Sequence, residues 1–525
     1  MPRSRYYAIF ALLVLGACAP VQKTTVTKRT PTPPPPSATP RLPELPPTPP
    51  EAPLQISVVY PLPGQARPAV DSNFIFGSVG NGHANLTING YPVPLSKNGA
   101  FLAFLPMPSN ESYQLVARRG SEMDSSSVAY SAIRPASIEK KKTKPAERTW
   151  PPIAEIVKGS DTLQTGNDVA PGATTPDGNR EWFFPRRTKL RIVEWEGAYC
   201  KVELKKNVYA WVADSNFDFS KRSHLTRSSF DLRGIHSPKS FVDFCLPCEF
   251  NPFLIKPSGN SIRILIYGKS QPSEFNSATT DPLIKSVGYD STEGSTEYNV
   301  VLDKPIWGYK AFYEENGSLV VRLRRPPTID KDNPLKGLRI MIDPGHPPGG
   351  ATGPTGLMER EANLAIATRL RDQLVAKGAI VLMTHSDLHG FVSDVNQVQE
   401  LDARASLGVA ENVDLMVSVH NNAFPDGTNP FLNYGTSTFY FHPFSAPLAA
   451  SLDQEIAKVT GVPNLGSMQK SLAVCRPTWM PCALTESLHM MFPDQEQALR
   501  DPKFLDALAA AHVRGIEDFV RERAQ

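Results

Sequence analysis

Cysteine is scarce, with six in 525 residues. That is too few to staple a chain of this length, so its stability has to come from packed cores. Net charge is nearly missing as well, at +3, and no extended basic face appears, which argues against nucleic acid as a partner. A membrane-spanning run is absent from the N-terminus, where the apolar stretch Tyr6–Leu15 is too short for a hydrocarbon core about 30 Å thick. No HExxH occurs, which removes the commonest zinc-peptidase pattern. What remains, 41% hydrophobic and 20% charged, is ordinary globular material, long enough for about three or four domains.

Proline is the excess, at 51 residues. Arg3 and Arg5 precede the short apolar run, the pattern of a signal peptide spanning 1–18. Leu15-Gly16-Ala17-Cys18 resembles a bacterial lipobox. The resemblance implies cleavage before Cys18, acylation of that cysteine, and anchoring to a membrane through it. Ala19 stands where an aspartate would resemble an inner-membrane retention signal, so the periplasmic face of the outer membrane is expected. Residues 19–54 are Pro-dense and cannot bury a core. As polyproline II they form a tether with a reach on the order of 100 Å.

Three β-rich stretches follow. Residues 55–135 alternate in short segments around the turns Asn89-Gly90 and Asn98-Gly99, a hairpin signal, and resemble bacterial immunoglobulin-like spacers. A charged linker covers 139–148. Residues 150–220 resemble SH3-like modules, with Trp182, Trp195, Tyr199 and Trp211 serving a core or lining a groove. Residues 225–330 resemble β-sandwich modules that localise cell-wall enzymes. Cys245 and Cys248 lack a second pair for zinc and a βαβ context for redox work, so a local disulfide is expected.

From 335 to 525 the period changes. Strands "LRIMID", "AIVLMTH", "VDLMVSVH" and "PCALTES" alternate with amphipathic helices, which predicts an α/β domain with a largely parallel sheet. The expected architecture is therefore multidomain, all-β modules followed by this α/β domain. "RIMIDPGH", "LMVSVH" and "CALTE" end in His346, His420 and Glu486. Ligand sites in open α/β sheets lie at the carboxyl ends of strands, so the three converge. Glu359 opens the helix after the first strand and returns to the same edge. The glycines and prolines between His346 and Glu359 let the loop double back. His346, Glu359 and His420, with one position left to water, make a catalytic zinc set.

These residues also carry a family resemblance. "DPGH…GPTGLMEREANLAIA", "SVHNNA" and "PCALTES" resemble zinc-dependent N-acetylmuramoyl-L-alanine amidases of the DPGH type over about 337–521. The resemblance implies Zn2+ held by His346, Glu359 and His420, Glu486 as the catalytic glutamate, and peptidoglycan as substrate, cut between muramic acid and the first L-alanine. Arg404 matches the family's helix arginine. Pro347 and Pro348 replace the family's glycines, and Ser487-Leu488 replaces Gly-Phe, which leaves the ligands in place and alters the substrate surroundings. Asn421 and Asn422 are expected behind the ligands, and His489 is a candidate substrate neighbour. His385, His389 and His442 are expected at the surface, and Cys475 and Cys482 as a second disulfide. No motif identifies an activator protein. The rival expectation is a non-catalytic peptidoglycan-binding scaffold lipoprotein, against which the complete ligand set with Glu486 argues.

Overall fold

The computed structural model describes residues 42–133, 153–156, 169–176, 178–218, 234–236, 239–268, 281–292, 294–392 and 397–523. The signal peptide with Cys18, the tether as far as residue 41 and the linker at 139–148 lie outside them. The last part of the expected tether is not a free spacer. Asn81 Nδ2 donates to the carbonyls of Pro49, Pro50 and Ala52 at 3.3, 3.1 and 2.7 Å, fixing this stretch on the first β module. No helix among the described residues is long and apolar enough to cross a membrane.

Before Glu359 the described residues form strands, loops and one short 3-10 helix, Asp214–Asn216. In the first module a sheet of strands Ser57–Tyr60, Ser72–Ser78 and Ala100–Pro106 faces a second sheet that includes Asn85–Ile88 and Ser112–Arg119. Ile75 and Phe101 from one sheet and Leu86, Tyr113 and Leu115 from the other share one core. Residues 153–218 contribute a seven-stranded sheet, paired antiparallel throughout. Trp182 and Trp211 are buried in it, and Trp182 Nε1 donates to Tyr267 Oη of the next module at 3.2 Å. That next module pairs two four-stranded sheets around a core that includes Phe244, Ile264, Tyr298 and Val321.

The C-terminal domain alternates strand and helix. The strands are β1 (Arg339–Pro344), β2 (Ile380–Met383), β3 (Leu415–Asn422), β4 (Thr436–Tyr440), β5 (Asn464–Gln469) and β6 (Cys482–His489). The helices are α1 (Glu359–Ala376), α2 (Gln397–Ala410), α3 (Ala446–Thr460), α4 (Pro493–Ala498) and α5 (Pro502–Arg523). The sheet order is β2-β1-β3-β6-β4-β5. All pairings are parallel except β4 with β6. Side chains alternate across the sheet. Ile340, Ile342, Val417 and Ala483 join α1, α3 and α5 in one core, while Met341, Met416, Cys482 and Leu484 face α2 and Trp479 in another. Covering both faces is why the central strands read as nearly continuous apolar runs.

Both expected disulfides are overturned, since Cys245, Cys248, Cys475 and Cys482 are free and buried. Cys245 lies in a strand paired with Val320, whereas Cys248 turns into the core and donates to Asn251 O at 3.2 Å. Cys475 and Cys482 point to different carbonyls, those of Phe439 and Met480, at 3.6 and 3.4 Å.

Candidate metal centre

β1 delivers the first candidate ligand. Asp343, at its end, is buried and accepts from Thr384 Oγ1 and Ser418 Oγ at 2.7 Å each. The chain then turns at Gly345, where a Cβ would sit 2.3 Å from His420 Cε1. Glycine is required there because the ligand ring occupies the space. His346 follows with φ +63°, a left-handed conformation that costs a non-glycine residue energy and persists where surroundings enforce it. Arg404, 1% exposed, supplies that enforcement. Its guanidinium donates to Pro344 O at 3.0 Å and to Pro347 O, and pairs with Asp343 at 3.2 Å and Glu400 at 2.8 Å.

The return of the loop is fixed from the other side. Gly350 adopts φ +104°, and a Cβ there would lie 3.2 Å from His346 Cγ. The buried Glu496 carboxylate accepts from the Thr355 and Leu357 amides at 2.9 and 3.0 Å. Glu359 therefore starts α1 already aimed at the sheet edge. Glu361 accepts from the Met358 amide at 3.1 Å, one arm of a capping box.

His346, Glu359 and His420 offer ligand atoms that all lie within 4.8 Å of one another. His346 Nε2 is 3.2 Å from Glu359 Oε2, and His420 Nδ1 is 3.2 Å from Glu359 Oε1. Donors about 2.0–2.2 Å from a tetrahedral ion sit roughly 3.3–3.6 Å apart, so the donor types fit Zn2+ and the two 3.2 Å separations lie close to that spacing. The tautomer points the same way. His346 Nδ1 lies 3.0 Å from Pro348 O, which demands the proton on Nδ1. Nε2 facing the Glu359 carboxylate then either carries a second proton, which makes an imidazolium–carboxylate pair, or leaves a lone pair free to ligate a cation held between them. Burial alone would raise the Glu359 carboxyl, but hydrogen bonds from His346 and His420 prevail and hold it well below the usual carboxylate range.

Behind the ligands, Asn363 Nδ2 donates to Glu359 Oε1 at 3.2 Å and to Gly345 O at 3.0 Å. Asn421 Nδ2 donates to Asn363 Oδ1 at 2.9 Å, and the Asn421 amide reaches Glu359 Oε1 at 3.3 Å. The sequence pointed to Asn421 but missed Asn363, although its position four residues after Glu359 puts both on one helix face.

Glu486 and His420 are register partners on β6 and β3. Both lie inside their strands rather than at the ends, and His346 lies two residues past β1. Glu486 Oε2 is shielded and has no hydrogen-bond partner among the described residues. Burial, then the Glu359 charge, lifts its carboxyl well above the usual range, with Lys470 opposing. Lys470 also escaped the sequence reading.

The other histidines do not join the set. His389 is exposed beside Asp387 at 3.3 Å. His385 is half-buried and lies 3.1 Å from Thr384 Oγ1. His442, expected at the surface, is instead buried and stacked on Phe444 at 5.1 Å, and burial lowers its pKa to about 4. His489 stacks on Phe424 at 4.6 Å, inside an aromatic cluster rather than facing the ligands.

The architecture so far defines an α/β domain with a His-Glu-His candidate metal centre and a neighbouring shielded carboxyl. Residues 340–518 match the Amidase_3 family model, N-acetylmuramoyl-L-alanine amidase. The chain is 30% identical over 193 residues to the probable cell wall amidase LytH of Staphylococcus epidermidis, covering 36% of this chain and 60% of that protein. It is 29% identical over 195 residues to N-acetylmuramoyl-L-alanine amidase LytC of Bacillus subtilis, covering 36% and 37%. The chain thus spans 60% and 37% of the length of these two relatives, less than two thirds of either. Among solved structures it is similar to an N-acetylmuramoyl-L-alanine amidase from Clostridium difficile 630, at 26% identity and TM-score 0.31, covering 35% of this chain and 97% of that one.

Proposed function

We propose that this protein is a zinc-dependent N-acetylmuramoyl-L-alanine amidase that cuts peptidoglycan between muramic acid and the first L-alanine of the stem peptide. The observation that carries the reading is the set of His346, Glu359 and His420 beside a shielded Glu486 carboxyl with no hydrogen-bond partner at Oε2 among the described residues. His346 Nε2, a Glu359 oxygen and His420 Nδ1 would hold the ion. When bound, Zn2+ supplies a Lewis acid that polarises a carbonyl and lowers the pKa of water from about 16 to about 7. In its ionised form, which a cation held at the centre would favour, Glu486 takes a proton from the attacking water and delivers it to the departing amine nitrogen. Asn363 and Asn421 keep Glu359 oriented, and Arg404 holds the loop bearing His346.

The finer reading follows the sequence. The chain is exported, anchored through a lipidated Cys18 at the periplasmic face of the outer membrane, and projected by its tether. The modules at 55–135, 150–220 and 225–330 act as immunoglobulin-like, SH3-like and sandwich spacers and localisers.

The test uses the full chain on purified peptidoglycan. New L-alanine amino termini should appear without shortening of the glycan. A chelator should abolish the release, and one equivalent of Zn2+ should restore it. Binding to the polymer with no release, in the presence of bound zinc, would replace the enzyme by a scaffold.

A further inference from the structure

The loop from β3 to β4, residues 423–435, rises from the edge of the sheet that carries the candidate metal centre. His420, Glu486 and Ser437 form one register row across β3, β6 and β4. β3 ends at Asn422, two residues past that row, and β4 begins at Thr436, one residue before it. Both feet of the loop therefore stand beside the centre.

Between its feet the loop is braced. Near the start Asp426 pairs with Arg67, and the Gly427 amide donates to Asn73 Oδ1 at 3.1 Å. At the end Thr436 Oγ1 donates to Ser487 O at 2.9 Å, and a Cβ on Gly435 would sit 2.1 Å from Pro463 O. In the middle the Phe431 amide donates to Asn429 Oδ1 at 3.0 Å. The rings of Phe431 and Tyr434 lie 5.9 and 4.9 Å from that of Phe492, which packs with Phe74, Phe76 and Leu102 of the first module.

The tip is nevertheless apolar and open to solvent, with Phe431 49% and Leu432 73% exposed. An apolar pair held out on a braced loop beside a candidate centre marks a binding surface. Composition narrows the ligand. Residues 427–435, Gly-Thr-Asn-Pro-Phe-Leu-Asn-Tyr-Gly, carry no charged side chain. The loop has no Arg to fork a stem-peptide carboxylate and no basic residue to meet lipid phosphates. Beside the ring stand amides instead. Asn429 Nδ2 and the exposed Asn433 side chain have no hydrogen-bond partner among the described residues. A pyranose ring fits this pairing. Its C–H face meets the electron-rich face of an aromatic ring, and its hydroxyl and acetamido groups accept hydrogen bonds from amides.

We propose that the 427–435 loop is a saccharide platform, on which Phe431 stacks a sugar of the glycan strand next to the muramic acid at the centre. Leu432 extends the apolar face, and Asn429 and Asn433 bind the edge of the sugar. The inference rests on the amidase reading, in which one side of the scissile bond is itself a sugar, and adds which part of the polymer this loop holds.

Binding tests the platform apart from catalysis. The probe is an oligosaccharide of alternating N-acetylglucosamine and N-acetylmuramic acid without stem peptides, titrated calorimetrically into the full zinc-loaded chain. Phe431→Ala should weaken binding about tenfold, the upper end for an aromatic partner, with the melting temperature unchanged because the ring is half exposed. Phe431→Trp should keep the parent's affinity, since it restores an aromatic face. On soluble glycan chains that carry stem peptides, Phe431→Ala should raise KM and retain kcat. Equal affinity of the parent and Phe431→Ala for the oligosaccharide overturns the platform. A Phe431-dependent affinity for the free stem peptide or for phosphatidylglycerol vesicles, stronger than that for the oligosaccharide, overturns it as well. Oligosaccharide binding that depends on Phe431, in a parent chain that releases no stem peptide, would overturn the amidase reading alone.

Discussion

Glu486→Gln should lose hydrolysis by about 10²–10⁴-fold in kcat, the usual contribution of a positioned general acid–base group, while retaining its zinc. Glutamine preserves the volume and the place of the side chain on β6, next to His420 in register, but it cannot accept the proton of the attacking water. Metal should persist because the ligand atoms belong to His346, Glu359 and His420. The measurement pairs zinc per chain with stem-peptide release. His420→Ala is the contrast, since it should lose both together. Zinc lost from Glu486→Gln would make Glu486 part of the metal set rather than the proton carrier.

The same substitution carries a signed pH effect. In the folded chain the Glu486 carboxyl is raised by burial and by Glu359, so the neutral form is favoured. Its contribution is intact below the ordinary carboxylate pKa and is lost as pH rises toward the raised folded value. Without metal, Glu486→Gln should therefore gain melting temperature relative to the parent as pH goes from about 5 to about 8. A constant difference across that range would mean that Glu486 ionises normally.

Parts of this site could be read from the sequence because each rests on a local rule. β1, β3 and β6 are apolar runs that stop in polar residues, and parallel strands bring such residues to one region of the sheet. β4 and β5 escaped notice for a physical reason as well. Thr436–Tyr440 has no alternation, and Asn464–Gln469 is an edge strand with no buried residue and glycine inside it. Neither has the periodicity that marks a half-buried strand. The antiparallel join of β4 to β6 depends on how α3 crosses the sheet, which spacing does not encode. The cysteines show the opposite failure. Their spacing suggested bridges, but the direction of each thiol is set by tertiary packing around Asn251, Phe439 and Met480.

Asp426→Ala should be strongly destabilising, at about 3–5 kcal/mol, the range for stranding one member of a buried ion pair. Asp426 lies in the segment after β3, and its partner is Arg67 of the first β module. Arg67 is 2% exposed, with its guanidinium 3.8 Å from the centroid of the Tyr60 ring. Tyr60 Oη donates to the same Asp426 oxygen at 2.5 Å. The Gly427 amide donates to Asn73 Oδ1 at 3.1 Å, and Phe74, Phe76 and Leu102 pack with Met491 and Phe492 beside Phe424. Removing the carboxylate leaves the Arg67 charge without a counter-ion, and Nε and Nη1 already lack partners among the described residues. Arg67→Met should cost less, because it removes the charge that needs burying and keeps a side chain over Tyr60. If the pair acts as a unit, the double variant should resemble Arg67→Met rather than the sum of the two losses. Calorimetry should show the first module melting separately in Asp426→Ala, and peptidoglycan release should fall with it, because Phe424 supports His489 only four residues after His420. A single unshifted transition would mean that the apolar cluster alone holds the module, with the ion pair contributing register rather than energy.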